Sequence, residues 1–145
     1  FMDAERMDGC AAVLGEPSVH LMQIPMQEKE RIRFYREKQK EILSYTAVFA
    51  VSDFYAVELI HYLQENGIRV PDDISVVGFD DSPLCRYCIP ALSTVRQDAQ
   101  ARAEAAIHIL QKMKSGTEER IAVKFPVYLV ERNSVKNLTT TKSNG

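Results

Sequence analysis

Apolar and polar residues divide this chain into short apolar runs and longer stretches of helical spacing. The clearest run is Ala47-Val48-Phe49-Ala50-Val51, which predicts a strand covered on both faces. Residues 74–79 form a second such run, ending at Asp80-Asp81. Between them the period changes: Ala56, Leu59, Ile60 and Leu63 fall on one side of a helix starting at Asp53. Ser52 stands where that helix needs an N-cap, and Asn66-Gly67 is its stop. After a loop over 70–73 and strand 74–79, a short turn or helix over 82–88 leads to an extended piece over 92–96. Asp98 then caps a helix carrying Ala99, Ala103, Ala106, Ile107 and Leu110 on one face, with Gly116 as its stop. Ile121, Val123 and Phe125 alternate, and 127–130 continues as a strand that Pro126 pushes toward an edge or bulge.

The first third is less regular. Asp3 can cap a helix through Leu14 with a stripe of Ala4, Met7, Ala11 and Leu14, and Gly15 ends it. Residues 19–24 are a strand candidate closed by Pro25. Residues 27–43 read as a charged helix with a thin apolar face of Ile32, Tyr35 and Ile42. The chain enters a helical pattern at once from Phe1-Met2-Asp3, which reads as a boundary inside a larger protein. Residues 137–145 are expected to be a disordered polar tail. Strand and helix alternate, so the expected class is α/β with an open, mostly parallel sheet flanked by helices.

Composition narrows the class of function. At 145 residues, 46% hydrophobic and 26% charged, the chain can build one core of ordinary size. A net charge of −2 argues against nucleic-acid binding by this chain alone. No apolar run approaches the roughly 18 residues that cross a bilayer, and no membrane partner is expected. Three cysteines are too few for a disulfide framework and suit a reducing compartment, hence a cytoplasmic location.

Candidate chemistry concentrates at strand ends, because ligands of open parallel sheets sit beyond the carboxyl ends of the strands. Three such ends are expected: Pro25-Met26, Ser52-Asp53 and Asp80-Asp81. Adjacent residues at a strand end diverge, so at most one of Asp80 and Asp81 enters a shared pocket. One is expected to cap the following helix while the other binds a ligand or a backbone group. A carboxylate there suits a hydroxyl-rich ligand, since each hydroxyl donates a charge-assisted hydrogen bond. Metal or acid–base catalysis is the weaker reading, because no His or Lys partner has a recognisable spacing. Cys85 and Cys88 form a C-x-x-C without the second pair that zinc needs. The charged run 28–41 mixes six basic with four acidic residues, the mark of a solvated helix face. His20, His61 and His108 are isolated and read as surface or packing residues.

The strand ends and their neighbours also carry a resemblance. Residues 46–53 and 67–83, the latter including Val70-Pro71-Asp72-Asp73-Ile74-Ser75-Val76-Val77-Gly78-Phe79-Asp80-Asp81, resemble the lactose-repressor/galactose-repressor family of bacterial transcription regulators. Residues 90–97 are similar to that family's P-x-L-T-T-V-x-Q segment, 129–134 to its L-V-x-R-x-S strand, and 5–9 to its R-x-x-G helix start. The resemblance implies a periplasmic-binding-protein-like fold of type I, here a partial effector-binding and dimerisation domain over 1–136. By the resemblance that stretch is a partial C-terminal lobe, beginning well inside it, while helix 98–116 belongs to the other lobe in the full-length fold.

By the same resemblance Arg6, Met26, Ser52, Asp80 and Gln97 are expected ligand contacts. Met26 stands where an aromatic often stacks on the ligand, and Ser52 where many members have Asn. The implied function is sensing of a sugar or nucleoside-like effector by a regulator, most simply a repressor. No catalysis and no cofactor are expected, and operator DNA would be reached only through an absent N-terminal domain. Homodimerisation is expected, by domain swapping or by covering the 98–116 stripe with a second copy. A periplasmic-type sugar receptor is the alternative reading, and a small metal-dependent enzyme using Asp80 and Asp81 a more distant one.

Overall fold

A computed structural model describes residues 2–15, 18–115 and 122–138. It divides into two compact units, Phe1–Tyr45 and Thr46–Gly145. The first contains helices α1 (Met2–Leu14) and α2 (Glu28–Ile42). Helix α1 ends at Gly15, whose φ of 83° lies in the left-handed region that glycine adopts cheaply. Asp3 lies inside this helix, not before it. Leu14, assigned to the apolar stripe, is exposed, while Met7 and Ala11 are half-buried. Helix α2 buries Tyr35 and Ile42 as expected, together with Arg31.

No strand forms over 19–24. An apolar stretch becomes a strand only where a neighbour's N–H and C=O groups pair with it. Among the described residues that pairing is confined to 47–130, so the expected strand end at Pro25-Met26 does not exist.

The second unit holds strands β1 (Ala47–Phe49), β2 (Ser75–Asp80), β3 (Ser93–Gln97) and β4 (Val127–Val130), and helices α3 (Asp53–Glu65), α4 (Leu84–Tyr87) and α5 (Ala99–Lys114). The four strands form one sheet in the order β1-β2-β3-β4. The β1–β2 and β2–β3 pairs are parallel, and β4 is antiparallel to β3. The sheet is therefore open and mostly parallel, as the alternation of elements predicts. Pro126 immediately precedes β4, an edge strand whose ladder a missing N–H does not interrupt.

The core lies where α3 packs on β2. Ala56, Leu59, Ile60 and Leu63 are buried, with Ile74, Val76 and Leu92 completing the layer. The contact is too close for a side chain at Gly78. A Cβ there would collide with the Asp53 carboxylate and stand 2.8 Å from Leu92 Cδ2. Strand β1 departs from its expected burial on both faces: Ala47 and Phe49 are exposed and only Val48 is half-buried. Its place at the sheet edge is the reason, and an apolar run does not encode whether a strand is central.

Residues 131–136 return from β4 and stitch the amino ends of β2 and β3 together. The Ser93 N–H donates to Ser134 Oγ at 2.8 Å, and that hydroxyl donates to the Val76 carbonyl at 2.6 Å. The Val76 N–H donates to the Ser134 carbonyl at 2.9 Å. The β2–β3 ladder begins only at Val77 and Ser93, so Ser134 satisfies the groups exposed where the strands splay.

Helix α5 begins as expected, with the Ala101 N–H donating to Asp98 Oδ1 at 2.9 Å. None of its residues is buried. It ends at Lys114 with Ser115 as C-cap, and its expected stop, Gly116, lies outside the described residues. So do Ile121 and residues 139–145 of the expected tail. No helix among the described residues is long and apolar enough to cross a membrane.

Candidate functional site

The carboxyl ends of β1, β2 and β3 lie side by side in the second unit, and Ser52, Asp80 and Gln97 stand at or just beyond them. Leaving β2, the chain passes through two residues with positive φ, Asp80 at 111° and Asp81 at 54°. Non-glycine residues occupy this region at a cost of about 1–3 kcal/mol each, so the surroundings must hold them there.

Three side chains do so. Asp53, the first residue of α3, is 2% exposed. Its Oδ2 accepts the Ser82 N–H at 2.6 Å, and its Oδ1 accepts the Thr94 hydroxyl at 2.5 Å. The Asp81 carboxylate accepts Arg96 Nε and Arg132 Nη2, both at 2.6 Å. Burial pushes the Asp81 carboxyl up, but the two guanidiniums outweigh it and hold it below the ordinary carboxylate range. Arg132 also donates to the Leu92 carbonyl at 2.7 Å.

The two neighbouring aspartates thus diverge, as expected of consecutive residues at a strand end. Asp81 neither caps α4, which has no side-chain cap, nor presents an open carboxylate, because two arginines occupy it. Asp80 is exposed, and its Oδ1 accepts Gln97 Nε2 at 2.9 Å. Gln97 Oε1 in turn accepts Arg102 Nη1 from α5 at 2.5 Å. Asp80 and Gln97 are therefore directly joined. Ser52 occupies the N-cap position of α3, yet its side chain makes no capping hydrogen bond.

Arg6 and Met26 belong to the first unit. Arg6 is half-buried on α1. Met26 is 83% exposed, and its carbonyl accepts the buried Arg31 guanidinium. Arg31 as the partner of the Met26 carbonyl, and Asp53, Thr94, Arg96 and Arg132 as contributors to the 80–82 turn, escape sequence reasoning. Each acts on a group distant in the chain or looks like one charge among many. Gly78, a residue without a Cβ in a run of larger ones, is the sequence signal that accompanies the close approach of Asp53.

Cys85 is fully buried, and burial, with the Asp53 charge as a smaller contribution, pushes its thiol up to about 12. Cys88 is also raised, chiefly by burial. The C-x-x-C consequently carries two protonated thiols at neutral pH, poor nucleophiles and poor metal ligands. A cleft of about 620 Å³ opens beside the 131–138 segment, between Ser93, Leu129, Arg132 and Leu138. Neither Asp80 nor Gln97 lines it, so it is separate from the strand-end site.

An open, mostly parallel sheet flanked by helices, with polar side chains at the carboxyl ends of its parallel strands, defines the class as an α/β domain. Residues 4–135 match the family described as periplasmic binding protein-like domain, and the chain belongs to that family. Its curated relatives are transcriptional regulators. They include the HTH-type transcriptional repressor PurR of Photobacterium profundum, 40% identical over 64% of this chain and 28% of that protein. The HTH-type transcriptional regulator MalR of Clostridium butyricum is 33% identical over 92% of this chain and 41% of that protein. The chain thus spans less than half the length of these relatives.

Among solved structures, a LacI-family regulator from Burkholderia phymatum matches with a TM-score of 0.76 and 29% identity, over 92% of this chain and 50% of that one. A lac repressor dimer bound to operator and the anti-inducer ONPF matches with a TM-score of 0.74 and 25% identity, over 90% of this chain and 46% of that one. The resemblance to lactose-repressor-type regulators and the periplasmic-binding-protein-like fold both hold. The regulator reading fits these relatives better than the receptor alternative.

Proposed function

We propose that this chain is the ligand-sensing and dimerising part of a bacterial transcriptional regulator, a repressor, that responds to a sugar or related small molecule, sugar- or nucleoside-like, in the cytoplasm. The observation that carries this reading is the Asp80–Gln97 pair at the carboxyl ends of adjacent parallel strands. An exposed carboxylate beside an amide offers charge-assisted acceptors and a neutral donor, the combination that vicinal hydroxyls engage. Ser52 adds a hydroxyl at the neighbouring strand end. Arg6 and Met26 join the proposed contacts on the family resemblance alone.

In this proposal residues 1–136 are part of an effector-binding domain, and helix 98–116 belongs with a second lobe. The effector acts by differential affinity for two arrangements of the lobes, which changes how DNA-binding heads elsewhere in the full protein are spaced. The apolar side chains exposed on α5, Ile107, Leu110 and Met113, support pairing with a second copy of the chain. The lac repressor match, itself a dimer on operator, lends the same support.

A thermal-shift screen with sugars, sugar phosphates and nucleobases tests the ligand reading. At least one compound is expected to raise the melting temperature, and Asp80→Ala to abolish the rise. Stabilisation that survives Asp80→Ala would overturn the assigned site. For the dimer, sedimentation at rising concentration is expected to show association. A monodisperse monomer at high concentration would remove that part of the proposal.

A further inference from the structure

We infer that Asp53 and Arg132 are positioning residues for Asp80, holding the left-handed 80–81 turn so that its carboxylate meets Gln97. The inference rests on the reading of Asp80 as the ligand-recognising carboxylate, but its geometry is independent of any ligand. Neither residue hydrogen-bonds to the Asp80 side chain, whose partner is Gln97. They grip the turn from either side instead. Asp53 takes the Ser82 N–H just after it, and Arg132 takes the Asp81 carboxylate within it.

The two anchors reach the turn from opposite directions along the chain. Asp53 enters from the start of α3, and its carboxylate approaches so closely that residue 78 must lack a Cβ. Arg132 enters from the return segment after β4, its second nitrogen fixed on the Leu92 carbonyl. Two consecutive positive-φ residues would relax toward ordinary backbone if released. Relaxation rotates the Asp80 side chain away from Gln97. Preorganisation of this kind lets a binding group meet its ligand without first being ordered.

The test reads the Gln97 side-chain NH2 signals by ¹H–¹⁵N NMR in the full 145-residue chain, with Asp80→Ala marking the position those signals take when the bond is lost. Arg132→Gln and Asp53→Ala are expected to move the signals toward that marker. Asp53→Asn is expected to restore them, because an amide oxygen can accept the Ser82 N–H while its NH2 donates to Thr94 Oγ1. Ser134→Ala serves as the control for general destabilisation, since it loosens the β2–β3 stitch without touching 80–82. If Asp53→Ala fails to fold, Arg132→Gln and Asp53→Asn decide.

Unmoved Gln97 signals in a folded Arg132→Gln variant, or an equal movement in Ser134→Ala, would overturn the inference. Calorimetric titration with cellobiose keeps the two readings apart. Binding that weakens at least tenfold in Arg132→Gln supports both. If wild type does not bind cellobiose, the NMR result alone judges the positioning role.

Discussion

Helices α3 and α5 are alike in sequence and opposite in structure. Each follows a parallel strand, each has an aspartate at or beside its start, and each carries an apolar stripe at helical spacing. Helix α3 buries Ala56, Leu59, Ile60 and Leu63 against the sheet, whereas α5 buries nothing. Their aspartates differ in the same way. Asp53 is sealed inside and bonded to the turn after β2, while Asp98 caps its own helix at the surface. Amphipathic spacing thus states that a helix has a face to cover, not what covers it. In α3 the covered face starts from the carboxylate that holds the 80–82 turn, whereas in α5 the corresponding face stays exposed.

The contrast can be broken most directly at the stripes. Leu63→Ala is expected to cost about 2–5 kcal/mol in denaturant unfolding, the usual penalty for a cavity in a packed core. Leu110→Ala should fall within about 0.5 kcal/mol for the monomer, as surface substitutions do. A large loss at Leu110 in dilute solution would mean that α5 is covered after all. Next come the aspartates. Asp53→Ala orphans the Ser82 and Thr94 donors at about 1–3 kcal/mol each, against about 1 kcal/mol for removing the Asp98 cap. Equal effects in thermal melts would erase the distinction between the buried and the capping carboxylate.

The Asp81 clamp sharpens the picture through pH. Its carboxyl is held lower in the folded than in the unfolded chain, so its contribution is fully present above the unfolded value of about 4. That contribution fades as pH falls through the lower folded value. Asp81→Asn should flatten this part of the acid limb in melts recorded from pH 6 to pH 2. An unchanged limb would mean that the arginines do not lower its pKa. The smallest effect is chemical. Cys85 is expected to resist iodoacetamide at neutral pH far longer than a free thiol, because its thiol is pushed up to about 12. Rapid modification of Cys85 in folded protein would show that the α4 region opens readily.

By itself the sequence determined the alternation of elements, the α3 stripe, the Gly67 stop, the Asp98 cap and the placement of Asp80 at a strand end. Each follows from neighbours within a few positions, where backbone geometry and side-chain period are local properties. Tertiary structure alone decided that 19–24 is not a strand, that β1 lies at an edge and that α5 stays uncovered. It also decided that Asp81 is closed by arginines while Asp80 remains open. Those outcomes depend on hydrogen bonds and contacts between residues tens of positions apart, such as Arg132 with Asp81 and Asp53 with Ser82. Which distant partner fills a group's bonding capacity is set by the folded arrangement of the sheet, and no local spacing encodes it.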